Sequence, residues 1–97
     1  MPTYIMLSNL TDGGAVTLKT KPERIKEVNK EIEGMGVKIA GQYATLGMYD
    51  FVNIVEAPDN ETIARLSVEL GSRGTIRLTT LPAFQIDHFI ATLKKKK

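Results

Sequence analysis

The segment Thr3 to Asn9 reads as a strand that carries apolar side chains on both of its faces. Because successive strand residues point in opposite directions, Ile5 and Leu7 share one face, while Tyr4 and Met6 share the other. A sheet that is covered on one side only alternates between apolar and polar residues, and this segment does not. We therefore predict that something covers the second side of the sheet, or that a cavity lies over it.

The rest of the chain alternates between helix-like and strand-like patterns, which glycine and proline residues separate. We predict a short helical piece over 15–19 capped by Asp12, a helix over 22–34, strands over 37–44 and 49–57 around the hairpin loop 45–48, a helix over 60–70, a strand over 75–81 and a terminal helix over 84–93. The order is β-α-β-β-α-β. Right-handed crossovers turn this order into a ferredoxin-like α+β fold, with one antiparallel sheet of about four strands and both main helices on one side.

The side of the sheet away from the helices needs a cover, and in a chain of 97 residues the simplest cover is the same sheet from a second copy. We therefore expect a homodimer or a higher homo-oligomer. The register of the strands decides which residues lie on this side. One possibility is the set Tyr4, Met6, Tyr49, Phe51 and Val55, and the other is the set of residues that alternate with them along the strands. We favour the arrangement in which Val52 and Ile54 face the helices.

Length and composition fit one domain over residues 1–97, with a core over about 3–84 and a C-terminal extension over 85–97. The absence of cysteine excludes disulfides and thiolate chemistry, and it fits a reducing compartment. The N-terminal residues lack the pattern of a signal peptide, and no stretch has the length and apolarity of a membrane span. We expect a cytoplasmic protein without a membrane partner.

The small surplus of positive charge comes from the C-terminal run Lys94 to Lys97, because the rest of the chain has nine basic residues against eleven acidic ones. Proteins that bind nucleic acids usually carry a basic face, and the body of this chain is not basic. We therefore interpret the run as a solvated tail and do not expect nucleic acid as a partner. A weak contact of this tail with an anion or a nucleic acid stays as the alternative.

Several short blocks of the sequence together resemble one known family. They are Tyr4-Ile5-Met6-Leu7-Ser8-Asn9 with Thr11 and Gly14, Pro22-Glu23-Arg24, Tyr43-Ala44-Thr45-Leu46-Gly47-Met48-Tyr49-Asp50, Glu56-Ala57-Pro58-Asp59, Gly74-Thr75-Ile76-Arg77, Thr80-Leu81 and Ala83-Phe84. The chain is similar to the GYD-domain family, which takes its name from a Gly-Xaa-Tyr-Asp motif. The resemblance implies a ferredoxin-like domain of the dimeric α/β-barrel type, and it implies no particular reaction.

The motif itself supplies the candidate catalytic residues Tyr49 and Asp50, while Gly47 is expected to give the hairpin its positive φ. Strand alternation puts the phenol and the carboxylate on opposite faces, so the two do not form a simple dyad. Asp50 either accepts backbone N–H groups or acts as a general base at the mouth of a cavity. Tyr49 either packs at an interface or donates a hydrogen bond to a ligand.

Tyr4, Asn9 and Arg77 are the candidate ligand-binding residues. Arg77 lies in a strand that otherwise looks covered, so we expect it to pair with a carboxylate or to hold an anionic ligand. His88 is the only histidine, and we predict no metal site and no cofactor.

Three functions remain open from the sequence. The first is a small-ligand-binding or assembly module, with a pocket between the sheet and the helices near Tyr4, Asn9, Tyr49 and Asp50. The second is a cofactor-independent enzyme, similar to an isomerase or a monooxygenase, which uses Asp50 and Tyr49 for proton transfer and rests on analogy between folds. The third is weak binding of an anion or a nucleic acid through the lysine tail together with Arg73 and Arg77.

Overall fold

The computed structural model describes residues 1–95, so the last two lysines of the basic tail lie outside the described residues. The strands are β1 (Thr3–Leu10), β2 (Lys38–Ala44), β3 (Phe51–Glu56) and β4 (Ile76–Ala83), and the helices are α1 (Asp12–Thr20), α2 (Arg24–Gly34), α3 (Asn60–Gly71) and α4 (Ile86–Lys94). The strands form one antiparallel sheet in the order β2-β3-β1-β4. The predicted ferredoxin-like α+β fold is confirmed.

The boundaries of several elements differ from the prediction by one to three residues; β4, for example, continues to Ala83, and α4 begins at Ile86. The helical piece expected over 15–19 is a full helix over Asp12–Thr20, and its cap is Thr11 rather than Asp12, because the Thr11 hydroxyl accepts the N–H of Gly14 at 3.1 Å. At α3 the cap is as its sequence indicates: Asp59 accepts the N–H of Thr62 at 2.8 Å. β3 begins at Phe51, because the residues before it belong to the hairpin loop.

The pairing register decides which side chains face the helices. Tyr4 pairs with Val55 and Met6 pairs with Asn53, and Tyr4, Met6 and Val55 are almost completely buried beneath the helices. We call this side the helix side and the other side the open face. The preference for Val52 and Ile54 on the helix side is wrong, since both residues pair with the half-buried Leu7 and Ile5 on the open face.

The packed core occupies one half of the helix side. It joins the buried residues of β1 and β3 to α3 and to the end of α2, and its members are Tyr4, Met6, Ile32, Val37, Val55, Ala57, Ile63, Leu66 and Leu70. The apolar stripe of α3 is the largest contribution, because Leu66 is completely buried and Ile63 and Leu70 are nearly so.

Gly14 fixes the start of α1 against the start of β4. A Cβ atom at this position would lie 1.9 Å from the backbone oxygen of Thr75, so only glycine fits. The same oxygen accepts the N–H of Thr11 at 3.0 Å, which prevents it from moving aside. α1 is therefore held by its first turn, while the rest of the helix lies over the second half of the helix side.

Candidate functional site

A cavity of about 390 Å³ lies between the sheet and the helices α1 and α2. This volume falls in the range of sites that hold small molecules. Its walls are mainly apolar, and they include Leu18 of α1, Ile25 and Val28 of α2, and Phe51 and Leu78 of the sheet. The helix side is therefore packed beneath α3 and hollow beneath α1 and the start of α2.

Four polar residues line this cavity close to the sheet. Ser8 and Asn53 belong to the two central strands, and Gln42 pairs with Asn53 across β2 and β3. The carboxamides of Gln42 and Asn29 exchange two hydrogen bonds, at 2.9 and 3.0 Å. Among the described residues, the Oδ1 atom of Asn53 is buried and has no hydrogen-bond partner. A buried acceptor without a partner costs about 1–3 kcal/mol, so this atom needs an explanation.

Paired charges surround the cavity where α2 meets α3. Arg73 binds the carboxylates of Glu31 and Glu69, and Arg24 binds Glu27 at 3.1 Å. The hydrogen bond from Arg73 holds the pKa of the Glu31 carboxyl below its usual range, and the Glu31 carboxylate raises the pKa of Arg73 in return. Both arginines line the cavity and are partly exposed. Their charges are neutralised by these neighbours.

Asp50 serves the backbone at the point where the hairpin meets β1. Its Oδ2 atom accepts the N–H of Leu10 at 2.9 Å. Its own N–H donates to the carbonyl of Ser8 at 2.9 Å, and its carbonyl accepts the N–H of Thr45 at 2.8 Å. The carboxylate thus accepts a backbone N–H of β1, as the carbonyl group of a neighbouring strand would do. Of the two roles open from the sequence, the geometry corresponds to the backbone-binding one.

The other two motif residues shape the same hairpin. Gly47 has a φ of 111°, a conformation that glycine adopts without strain. Tyr49 is half-buried, and its carbonyl accepts the hydroxyl of Thr45 at 2.6 Å. Neither Tyr49 nor Asp50 is among the residues that line the cavity.

The three candidate ligand-binding residues do not meet in one site. Tyr4 is buried, and its hydroxyl donates to Oδ1 of Asn60 at the start of α3. Asn9 and Arg77 pair across β1 and β4 on the open face, at one end of the sheet. None of the three lines the cavity. The pocket expected between the sheet and the helices is thus lined by other residues than those named from the sequence. The sequence patterns missed Ser8, Gln42 and Asn53 because these look like ordinary solvent-facing strand residues.

The open face carries an apolar strip that crosses all four strands. In one row Tyr43, Val52 and Leu7 lie side by side, and in the next row Ile54 and Ile5 lead to Leu81. We call these six residues the apolar strip; they are Ile5, Leu7, Tyr43, Val52, Ile54 and Leu81. Tyr43 is 59% exposed and Leu81 is 44% exposed.

Polar rows border the apolar strip at both ends. One end has the Asn9–Arg77 pair, and the other has Lys38 opposite Glu56, which is in turn opposite Thr3. An apolar centre with a polar border is the usual anatomy of a protein–protein interface.

The helix α4 presents a second exposed apolar surface. Its apolar residues follow the i, i+3, i+4, i+7 spacing of one helix face, and they are Ile86, Phe89, Ile90 and Leu93. Ile86 and Leu93 are 67% and 69% exposed. The rings of Phe84 and His88 meet edge to face, with centroids 5.8 Å apart.

Within residues 1–95, the structure holds no group of three or more acidic or histidine side chains that could bind a metal ion. No helix in the same part of the chain is long and apolar enough to cross a membrane.

Comparison with known proteins adds a family and a named relative. The family model of the GYD domain matches residues 4–93. A Thermus thermophilus protein named glutamine synthetase and cystathionine beta-lyase binding protein is 56% identical over 95 residues, which cover 97% of this chain and 100% of that protein. The crystal structure of TTHA0845, also from Thermus thermophilus, is 24% identical with a TM-score of 0.56 and covers 88% of this chain and 95% of its own. At that identity the solved structure shows the shared fold alone.

The role of Asp50 can be tested by substitution. In Asp50→Ala the N–H of Leu10 loses its acceptor, so we expect the free energy of unfolding to fall by about 1–3 kcal/mol in urea titrations. Asp50→Asn keeps an oxygen acceptor without the charge and should lose about half as much. The control Glu33→Ala removes an exposed carboxylate of α2 and should change little. Unchanged stability of Asp50→Ala would contradict the backbone-binding role.

Proposed function

The chain belongs to the GYD-domain family, and from that premise we propose that it is a non-catalytic assembly module, which pairs with a second copy of itself and binds larger metabolic enzymes. The apolar strip with its polar border is the observation that carries this proposal. The expected cytoplasmic location stays a prediction that agrees with it.

Pairing through the open face is supported by what the helices leave uncovered. The helices α1, α2 and α3 lie on the helix side, where Met6 and Val55 are 1% exposed. The apolar strip has no comparable cover within the described chain. Burying apolar surface is worth about 25 cal/mol per Å². A second copy offers the same strip in a symmetric arrangement, with the Arg77 row and the Lys38–Glu56 row at its edges.

Binding of a larger enzyme is supported by the name of the Thermus relative, which is similar over almost the whole chain. We propose the same two partners for this protein, glutamine synthetase and cystathionine β-lyase. The docking surface that we propose is the apolar face of α4, because its residues Ile86 and Leu93 are among the most exposed large apolar side chains. An amphipathic helix of this kind binds a partner by laying that face into an apolar groove.

The two alternative functions have less support. A proton-transfer enzyme needs Asp50 free for a substrate, and its carboxylate is engaged by the Leu10 N–H outside the cavity. Binding of nucleic acid needs a basic face, and Arg77 lies on the open face, whereas Lys94 and Lys95 end α4.

Sedimentation velocity tests the pairing. At micromolar concentrations we expect the wild-type protein to sediment as a dimer or a larger assembly. Val52→Lys places a charge in the centre of the apolar strip, so this variant should sediment as a monomer.

Val68→Lys is the matched control, since Val68 is 71% exposed on α3 and away from the open face. It should keep the wild-type sedimentation. A monomeric wild-type protein, or a Val52→Lys variant that assembles like the wild type, would contradict pairing through this face.

Biolayer interferometry with purified glutamine synthetase and cystathionine β-lyase of the same organism tests the partner assignment. We expect the wild type to bind both enzymes. The double variant Ile86→Ser, Leu93→Ser should bind at least about tenfold more weakly, because each serine removes an apolar contact worth about 1 kcal/mol or more.

The double variant should keep the wild-type melting temperature, since both side chains are already exposed. Val68→Ser removes an equally exposed apolar residue from α3 and should bind normally. The partner assignment is overturned if the wild-type protein binds neither enzyme. Normal binding by the double variant would show that α4 is not part of the interface.

A further inference from the structure

We propose that the cavity beneath α1 and α2 is a binding site for a small neutral molecule, largely apolar, which donates one N–H or O–H group to the carboxamide of Asn53. This site is separate from the open face and from α4, so it does not depend on the assembly role.

The cavity occupies one half of the space between the sheet and the helices, and the other half is well packed. Under α3 the side chain of Leu66 is completely buried, while under α1 a space of about 390 Å³ separates the sheet from the helix. The space is partly open to solvent, and its volume is in the range of sites that hold small molecules. Space on this scale, lined by apolar side chains, favours an apolar occupant.

Asn53 gives the cavity a polar group that can bind a ligand. The residue lies between Met6 and Gln42 in the register of the sheet, on the helix side. Gln42 is its cross-strand partner on β2, and the Gln42 carboxamide is engaged in the double hydrogen bond with Asn29. The Asn53 oxygen is thus left without a partner among the described residues, although the residue lines the cavity.

A ligand that donates a hydrogen bond would satisfy this oxygen. The oxygen is buried in its present position, and rotation of the carboxamide about its last side-chain bond turns it towards the cavity, where a ligand donor can meet it. Leaving the acceptor unpaired is costly, and a ligand donor removes that cost when it binds. The structure thus favours a donor group on the ligand.

The charges around the cavity favour a neutral ligand. Arg24 and Arg73 are the cationic residues of the lining, and each is paired with a glutamate of α2, Glu27 or Glu31. An anionic ligand would have to break these ion pairs and lose its hydration among apolar walls. A neutral molecule has neither cost.

Fluorescence titration of the full-length protein tests the proposal with N-phenyl-1-naphthylamine, a neutral apolar probe with a single N–H donor. Its emission rises in an apolar environment. The matched probe is its N-methyl derivative, which has the same rings and no donor. We expect the wild-type protein to bind the first probe about tenfold more tightly than the second, which corresponds to one hydrogen bond to a buried acceptor.

The variant Asn53→Leu separates the hydrogen bond from the space. Without the carboxamide, the two probes should bind with equal affinity. The variant should fold at least as stably as the wild type, because it removes an unpaired buried acceptor. The control Val68→Ser should keep the tenfold preference, since Val68 is exposed on α3 and does not line the cavity.

A second variant locates the probe independently of Asn53. Val28→Trp introduces a large side chain into the cavity from α2, so it should weaken both probes at least about tenfold. The proposal is overturned if the wild type binds neither probe, if it binds both equally, or if Val28→Trp binds them as the wild type does. None of these results bears on sedimentation or on enzyme binding, so the assembly role is tested separately.

Discussion

The architecture depends on a sheet that is apolar on both sides in a chain whose main helices cover only one. β1 lies in the interior of the sheet, between β3 and β4, and contributes Tyr4 and Met6 to the helix side and Ile5 and Leu7 to the open face. Tyr4 and Met6 are almost completely buried, whereas Ile5 and Leu7 are only partly buried. The uncovered half of this hydrophobic surface leads to the proposed pairing of two copies.

The Gly-Xaa-Tyr-Asp motif contributes to this architecture through the backbone. The carboxylate of Asp50 binds the N–H of Leu10 where β1 ends and the chain turns into α1, whose cap is Thr11. The same residue joins the hairpin loop to β1 through its own backbone groups. A motif that looks like catalytic chemistry thus holds the hairpin loop against the end of β1, and the positive φ of Gly47 makes the loop that carries it.

The sequence was sufficient for the order of elements and for the fold, because glycine, proline and the apolar periodicities mark the segments clearly. It was not sufficient for the direction of the pleat. Strand alternation states which residues share a side, and with apolar residues on both sides of β1 it could not state which side meets the helices. The preference for Val52 on the helix side is therefore wrong, and the alternate assignment of the pleat is the one observed.

The residues that line the cavity escaped prediction for a related reason. Ser8, Gln42 and Asn53 are polar residues in strands, a pattern that normally indicates contact with solvent, yet all three line the space beneath the helices. Only the pairing between β2 and β3 brings Gln42 beside Asn53, and only the position of Asn29 on α2 shows that the Gln42 carboxamide is already engaged. Such relations between distant segments have no local signature in the sequence.

The central claim is that a second copy covers the open face. The most direct measurement is an isotope-filtered NOE experiment on a sample mixed from ¹³C-labelled and unlabelled protein, which detects contacts between copies alone. If a second copy covers the open face, we expect intermolecular NOEs to the methyl groups of Leu7, Val52 and Ile54. NOEs at these methyl groups that arise only within one chain would contradict it.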